Sequence, residues 1–134
     1  MRWLWMILIL GVAGTIVISP HLAGAQDFTV YSVYKALDLG NPGETPQKDF
    51  YVNMGQAQGV HEGTVLEVSR KAYTYDLVSE KLYKEVVFPI ARLKVIHVEP
   101  NVAIARLDKL FSPEKTPATS TRSVMIGDVV KVSE

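Results

Sequence analysis

The chain has 134 residues with 14 basic and 14 acidic side chains, no cysteine, and 48% of its residues in the hydrophobic class. This length suits one small globular domain, and the apolar fraction excludes an intrinsically disordered chain. A formal net charge of zero gives no electrostatic footprint for nucleic acid, and the lack of cysteine excludes disulfides, zinc ribbons and thiol nucleophiles.

Residues 1–25 have the pattern of a secretory signal peptide. A single arginine precedes an apolar, charge-free run over residues 3–18, and Ala23 and Ala25 supply the small side chains that a signal peptidase accepts. The pattern predicts cleavage before Gln26 and a periplasmic or secreted mature protein. An uncleaved inner-membrane anchor is the alternative, although the run is short for a hydrocarbon core of ~30 Å.

Beyond the signal peptide, runs of β-branched and aromatic residues separated by Gly, Pro and Asn predict an all-β domain. The first predicted strand and a Pro/Gly linker occupy residues 26–48, and a small barrel domain is assigned to residues 49–134. The predicted strands cover residues 28–37, 49–54, 64–73, 83–98, 102–107 and 124–132.

The segments between these strands carry turn and loop residues. Polar residues 75–81 predict a hairpin connection, and residues 112–123 predict an exposed loop. Pro89 lacks a ladder donor, so it predicts an edge or a break within its strand. A further hairpin is predicted from about Ile90 to Leu110, with its turn at Glu99-Pro100-Asn101.

A helix is the alternative near the end of that second hairpin. Ile104, Leu107 and Phe111 follow i, i+3 and i+7 spacing, which is typical of one helical face. A single triplet of this kind is weak support, so the sequence favours a strand.

The alternation of apolar residues changes phase within the strand 83–98. Leu93 and Val95 share one parity, whereas Ile96 and Val98 share the other. One extra residue at a bulge changes which face of a strand is buried, and bent strands are typical of small barrels without open edges. The sequence therefore predicts a single small barrel of about six bent strands.

Two hexapeptides, GTVLEV from Gly63 and GDVVKV from Gly127, have the same form. Glycine suits a turn with positive φ, and the Thr or Asp that follows, here Asp128, can bond the turn backbone. We expect both strands to begin in the same way. If the strands are neighbours, Glu67 and Lys131 form a cross-strand pair. Chance similarity of two valine-rich strands is the alternative.

A glycine pattern precedes the first of these strands, with predicted turns at Gly55, Gly59 and Gly63. The string DFYVNMGQAQGVHEGTVLEVSR, with the later IARLKVIHVEPNVAIARL and IGDVVKV, resembles the C-terminal domain of the flagellar assembly protein T family over about residues 49–132. Similar glycine spacing occurs in other small extracytoplasmic barrels, including β domains of the rod-shape protein family. The resemblance implies a periplasmic, non-enzymatic module that packs against other envelope components.

Residue types that carry out catalysis or bind metals are scattered along the chain. His97 and Glu99 share a strand face, and His61-Glu62 is a second source of ligands, but one such pair is more typical of solvated strand ends than of a metal site. There is no nucleophile elbow, phosphate loop or dinucleotide fingerprint. We therefore expect no enzyme activity, no metal and no cofactor.

The hairpin from Arg70 to Lys84 has the best binding features. Tyr73 and Tyr75 share a strand parity, and tyrosine is enriched at interaction surfaces. The possible partner surface consists of these tyrosines and the cations around them: Arg70, Lys71, Tyr73, Tyr75, Lys81 and Lys84. A solvated hairpin without a partner is the alternative.

These features predict a non-enzymatic exported envelope protein that acts as an interaction or assembly module, of a flagellar or related envelope machine. The expected partners are envelope or cell-wall-associated proteins, with no nucleic acid. Contact with a membrane is expected only through the signal segment, if it is uncleaved. A β-domain that binds cell-wall glycan or another ligand is the alternative.

Overall fold

The computed structural model describes residues 27–118 and 121–134. Six antiparallel strands form a closed barrel in the order β1-β2-β5-β4-β3-β6, which confirms the predicted all-β barrel. The strands are β1 Phe28–Lys35, β2 Lys48–Val52, β3 Val65–Asp76, β4 Lys81–Val98, β5 Ala103–Leu110 and β6 Val129–Val132. The predicted signal peptide lies outside the described residues. No helix in the described ranges is long and apolar enough to cross a membrane.

The first strand is part of the barrel, although the sequence placed it with the linker before residue 49. β1 pairs with β2, where Val33 lies opposite Phe50, and with β6, where Phe28 lies opposite Val130. Val30, in the middle of β1, is fully buried. The Pro/Gly segment after β1 is therefore a connection between two neighbouring strands, and the barrel begins at β1.

The core fills the inside of the barrel with side chains from all six strands. Alanines on β4 and β5 leave room inside the barrel, and branched residues from the other strands fill it. The buried residues are Val30, Phe50, Val52, Met54, Val60, Leu66, Val68, Phe88, Ile90, Ala91, Leu93, Val95, Ala103, Ala105, Val124 and Val130.

Bulges bend the longest strands, as the change in apolar phase predicted. The pairing of β4 with β5 shifts between Val95 and His97, which leaves Ile96 as an extra residue. The pairing of β3 with β4 shifts at two places, and at both the extra residue lies in β4, one of them being Ile90. β3 is consequently the regular strand of this pair.

Several strand limits differ from the prediction. β5 is a strand from Ala103 to Leu110, so the helical alternative there is wrong. β4 continues through Pro89, which lies opposite Ser69 of β3 and has no partner in β5, so Pro89 is an edge position, as predicted, and not a break. β6 begins at Val129 and not at residue 124, because residues 125–128 form a turn whose backbone and side-chain bonds replace the ladder.

The two matched hexapeptides occupy equivalent positions in neighbouring strands. Gly63 and Gly127 have φ angles of +85° and +94°, and they lie just before β3 and β6. Glu67 lies opposite Lys131, with Nζ of the lysine 3.5 Å from Oε1 of the glutamate. The predicted cross-strand pair is confirmed.

Candidate interaction surface

The hairpin of β3 and β4 extends beyond the rest of the barrel. β6 pairs with β3 only as far as Ser69, and β5 pairs with β4 only from Ala91 onward. Residues 71–88, here called the arm, therefore form a two-stranded ribbon without a third strand on either side among the described residues.

The arm exposes large apolar side chains at its tip and along both strands. Leu77 and Val78 at the tip are 83% and 96% exposed, and Tyr73 on β3 is 64% exposed. The other exposed apolar residues of the arm are Tyr75, Leu82, Tyr83, Val86 and Val87. An isolated two-stranded ribbon is only marginally stable in water. A concentration of exposed apolar side chains, as on the arm, is typical of a site where another protein binds.

The register divides these side chains between two faces. Lys71 lies opposite Val87 and Tyr75 opposite Leu82, so these residues share the outer face with Tyr73. The second face carries the pairs Ala72–Val86 and Thr74–Tyr83, and it continues from buried Phe88 at the base of the arm. Both faces therefore offer apolar contacts.

The tip of the arm is held by Asp76. Its carboxylate accepts the N–H of Val78 at 2.9 Å and of Ser79 at 3.3 Å, and it also accepts the Ser79 hydroxyl. The Ser79 hydroxyl, followed by these two N–H groups, lowers the pKa of Asp76 below its usual range. Glu80 and Glu85 adopt positive φ angles of 55° and 62°, which close the turn and form the bulge in β4.

Arg70 lies at the base of the arm and is engaged inside the protein. Its Nε and Nη2 each lie 2.8 Å from an oxygen of Asp128, and the two side chains are only 14% and 5% exposed. Its other bonds go to the carbonyls of Thr121 and Ser123, at 2.5 and 2.9 Å. Hydrogen bonding to Asp128 raises the pKa of Arg70. The structure therefore separates Arg70 from the exposed surface for which the sequence proposed it.

The sequence predicted that Asp128 bonds the turn at the start of a strand, and in the structure this residue makes further contacts. Besides Arg70, its carboxylate accepts the N–H of Met125 at 2.7 Å. Its own carbonyl accepts the N–H of Val30 on β1 at 2.9 Å. One side chain thus joins the base of the arm to the turn before β6, next to the point where β1 closes the barrel.

The remaining predicted surface residues are distributed along the arm. Lys71 contacts the carboxylate of Asp27, which chiefly raises the pKa of the lysine, and it lies 3.9 Å from Glu85 Oε1. Lys81 is exposed at the start of β4, and Lys84 lies in the same strand. The structure brings Tyr73, Tyr75 and Lys71 together on the outer face.

The predicted turn glycines serve two different purposes. Gly59 has a φ of +82°, as a left-handed turn residue requires, whereas Gly55 has a negative φ. A Cβ at Gly55 would lie 2.1 Å from the carbonyl oxygen of Glu99. Glycine is needed there because the turn before β3 packs directly on the turn between β4 and β5, where Gln56 donates to that same carbonyl.

An open groove of about 500 Å³ lies beside the base of the arm. Ala72 and Phe88 line it from the arm, and Met125 and Ile126 line it from the turn before β6. Met125 and Ile126 are both exposed despite their apolar side chains. The groove extends the apolar surface of the arm onto the barrel.

The weak metal-ligand pattern remains an isolated pair in the structure. His97 Nε2 lies 2.9 Å from Glu99 Oε1, and both side chains are more than half exposed. Within residues 27–118 and 121–134, no group of three or more His, Cys, Asp or Glu side chains is placed to hold a metal ion.

No family model matches the chain, and no curated protein matches it. The resemblance to the flagellar assembly protein T family therefore stays a prediction from the motifs in the sequence.

Proposed function

We propose that the protein is an exported, non-enzymatic interaction module that docks onto another envelope protein through the arm. The observation that carries this proposal is the apolar surface of residues 71–88, which is exposed on both faces and at the tip. Tyrosine and aliphatic side chains in such a patch supply contact area when a partner covers them.

The base of the arm is built to hold it in one orientation. Arg70 anchors it to Asp128 and to the carbonyls of residues 121 and 123, and Lys71 binds the carboxylate of Asp27. At the other end, Asp76 orders the tip. A preorganised surface loses less conformational entropy on binding, so these contacts favour docking.

Export is the second part of the proposal, and the signal-like residues 1–25 support it. We expect Gln26 to be the N-terminus of the mature protein. N-terminal sequencing of the protein isolated from its native cells tests this directly. An intact Met1 in the membrane fraction would instead establish the anchored alternative.

The location of the protein in the cell envelope is the third part of the proposal, and it rests on the motifs that resemble the flagellar assembly protein T family. If the domain type is that of the flagellar assembly protein T family, the partner is a component of a flagellar or related envelope machine. The partner is then a protein surface with apolar groups that match Tyr73, Tyr75 and the tip of the arm.

A capture experiment tests docking through the arm. The immobilised protein is incubated with an envelope extract, and the bound proteins are compared between wild type and the double variant Tyr73→Ala plus Tyr75→Ala. Because both rings are exposed, we expect the variant to fold and to retain less than a tenth of the bound partner. The matched control is Tyr31→Ala plus Tyr34→Ala, which removes two exposed tyrosines from β1.

Equal capture by wild type and the arm variant would contradict the proposal. Cosedimentation with purified sacculi, together with no captured protein, would support the alternative of a glycan-binding domain. Hydrolysis of a wall fragment by the purified protein would refute the non-enzymatic reading.

A further inference from the structure

We propose that the arm also pairs with a second copy of this chain, by adding the two β3 strands edge to edge. This inference goes beyond the proposed function and does not depend on it. It rests on the hydrogen-bonding direction, the register and the charges of the arm.

The two edges of the arm differ in how well they resist strand addition. The edge of β4 carries Pro89, which has no N–H, and the bulge at Glu85. Both features discourage the pairing of another strand. The edge of β3 between Lys71 and Tyr75 has neither, and no other strand of the described residues pairs with it.

The backbone groups on the β3 edge can be assigned from the ladder with β6. Ser133 N–H donates to the carbonyl of Val65 at 2.9 Å, which points the backbone of Val65 toward β6. Alternate residues of a regular antiparallel strand point the same way. Both bulges in this pair lie in β4, so the alternation continues unbroken, and Lys71, Tyr73 and Tyr75 direct their N–H and C=O groups outward.

These three residues define one two-fold register. Antiparallel pairing of identical edges requires the outward-pointing residues to face one another, so the two-fold axis must pass through a residue position. With the axis at Tyr73, each Tyr73 faces Tyr73 of the second copy, and each Lys71 faces Tyr75. About six backbone hydrogen bonds form, two for each of three pairs.

Registers with the two-fold axis one residue away would need residues that cannot pair in this edge. An axis at Ala72 would require Ser69, which already pairs with Val129 of β6. An axis at Thr74 would place Lys71 opposite Leu77, which lies in the turn and not in the strand. The register centred on Tyr73 is the one that satisfies all three outward residues.

No two free cations face each other in this register. Lys71 comes opposite Tyr75 of the second copy, and Arg70 stays bound to Asp128 of its own chain. The apolar tip of each arm, Leu77 and Val78, reaches the base of the other arm beside the groove that Met125 and Ile126 line. We expect a small interface on the order of 1,000 Å², which corresponds to a weak dimer.

Single-cysteine cross-linking tests the pairing and its register in the full protein, which contains no native cysteine. In the proposed dimer, Tyr73→Cys brings two Cα atoms to about 5.5 Å, within the range for a disulfide. The matched control is Val87→Cys, an exposed position on the same face but on the opposite strand. We expect Tyr73→Cys to form a disulfide dimer at least ten times faster than the control at about 100 µM protein.

A second measurement removes the edge donor without disturbing the arm. The N–H of Tyr73 points away from β4, so Tyr73→Pro removes only an outward donor, as natural Pro89 does on the other edge. Val87→Pro is its control. We expect the sedimentation coefficient of wild type and Val87→Pro to rise with concentration, and the rise for Tyr73→Pro to need at least tenfold more protein.

If Tyr73→Pro fails to fold, Tyr73→Lys keeps the N–H and places two ammonium groups at the axis, and it should weaken the dimer similarly. Equal cross-linking of Tyr73→Cys and Val87→Cys, or sedimentation of wild type that is independent of concentration up to about 500 µM, would overturn the proposal. Because these experiments use only the purified chain, their failure leaves the capture experiment with an envelope extract unaffected.

Discussion

Replacing Arg70 by methionine should destabilise the barrel strongly, because it breaks a nearly buried ion pair with Asp128. The substitution removes four hydrogen bonds and leaves the nearly buried carboxylate of Asp128 with the N–H of Met125 as its remaining donor. Removing one partner of a buried pair costs about 3–5 kcal/mol. Because the arginine side chain is 14% exposed, we expect the lower end of this range, about 3 kcal/mol.

Urea unfolding followed by circular dichroism measures this difference, and for a domain of this size it corresponds to a fall in Tm of about 10–20 °C. The control is Arg106→Met, which breaks the same kind of pair with Asp49. That pair has an Nε–Oδ1 distance of 2.7 Å but is 45% and 28% exposed. We expect the control to lose much less stability than Arg70→Met, because solvent screens exposed pairs.

A double-mutant cycle with Asp128→Asn separates the pair from the two carbonyl contacts of Arg70. We expect a coupling of about 2 kcal/mol between the two positions, since the residues are in direct contact. Equal stability of Arg70→Met and Arg106→Met, or additive effects in the cycle, would refute the reasoning that the pair anchors the arm.

The other predictions concern the turns and the arm. Gly55→Ala should cost several kcal/mol or prevent folding because its Cβ would meet the Glu99 carbonyl, whereas Gly63→Ala should cost only ~1–2 kcal/mol from positive φ; thermal unfolding of both variants checks this contrast. Glu85→Gly should raise the free energy of unfolding measured in urea slightly, by ~0.5 kcal/mol, since glycine relieves the positive φ, and a lowered free energy would contradict this. The pKa of Asp76 is lower in the folded state than in the unfolded chain, where it is ~3.9. Its stabilisation of the tip is therefore complete above pH ~3.9 and is lost as the pH falls through the pKa of the folded state. The amide resonance of Ser79 should stay constant from pH 7 to 5 and shift only in more acidic solution.

Features that depend on neighbouring residues could be predicted from the sequence. The strands follow runs of β-branched residues, and the bulge near Ile96 follows from the change of apolar phase. The alignment of Glu67 with Lys131 follows from two matched turns once β3 and β6 are neighbours, which the sequence supplied only as a condition. The strands, the bulge and the two turns are each encoded within a few residues of the feature.

Features that depend on distant residues could not be predicted in the same way. Arg70 and Asp128 are 58 positions apart. The sequence near the tyrosines therefore does not show whether this arginine is exposed to solvent or bound to a distant carboxylate. β1 joins the barrel through partners on both sides that lie beyond the Pro/Gly segment. The late start of β6, at Val129, follows from the bonds of Asp128, which replace those of a strand.

Site-specific photo-cross-linking in cells that express the protein natively tests the central claim most directly. A photoreactive side chain is placed at Tyr75 or Leu77 on the arm, and at Leu37 or Leu39 in the exposed connection between β1 and β2 as matched controls. We expect a discrete adduct with an envelope protein from the arm positions and none from the controls. Adducts of equal yield from both regions, or none from the arm, would contradict docking through this hairpin.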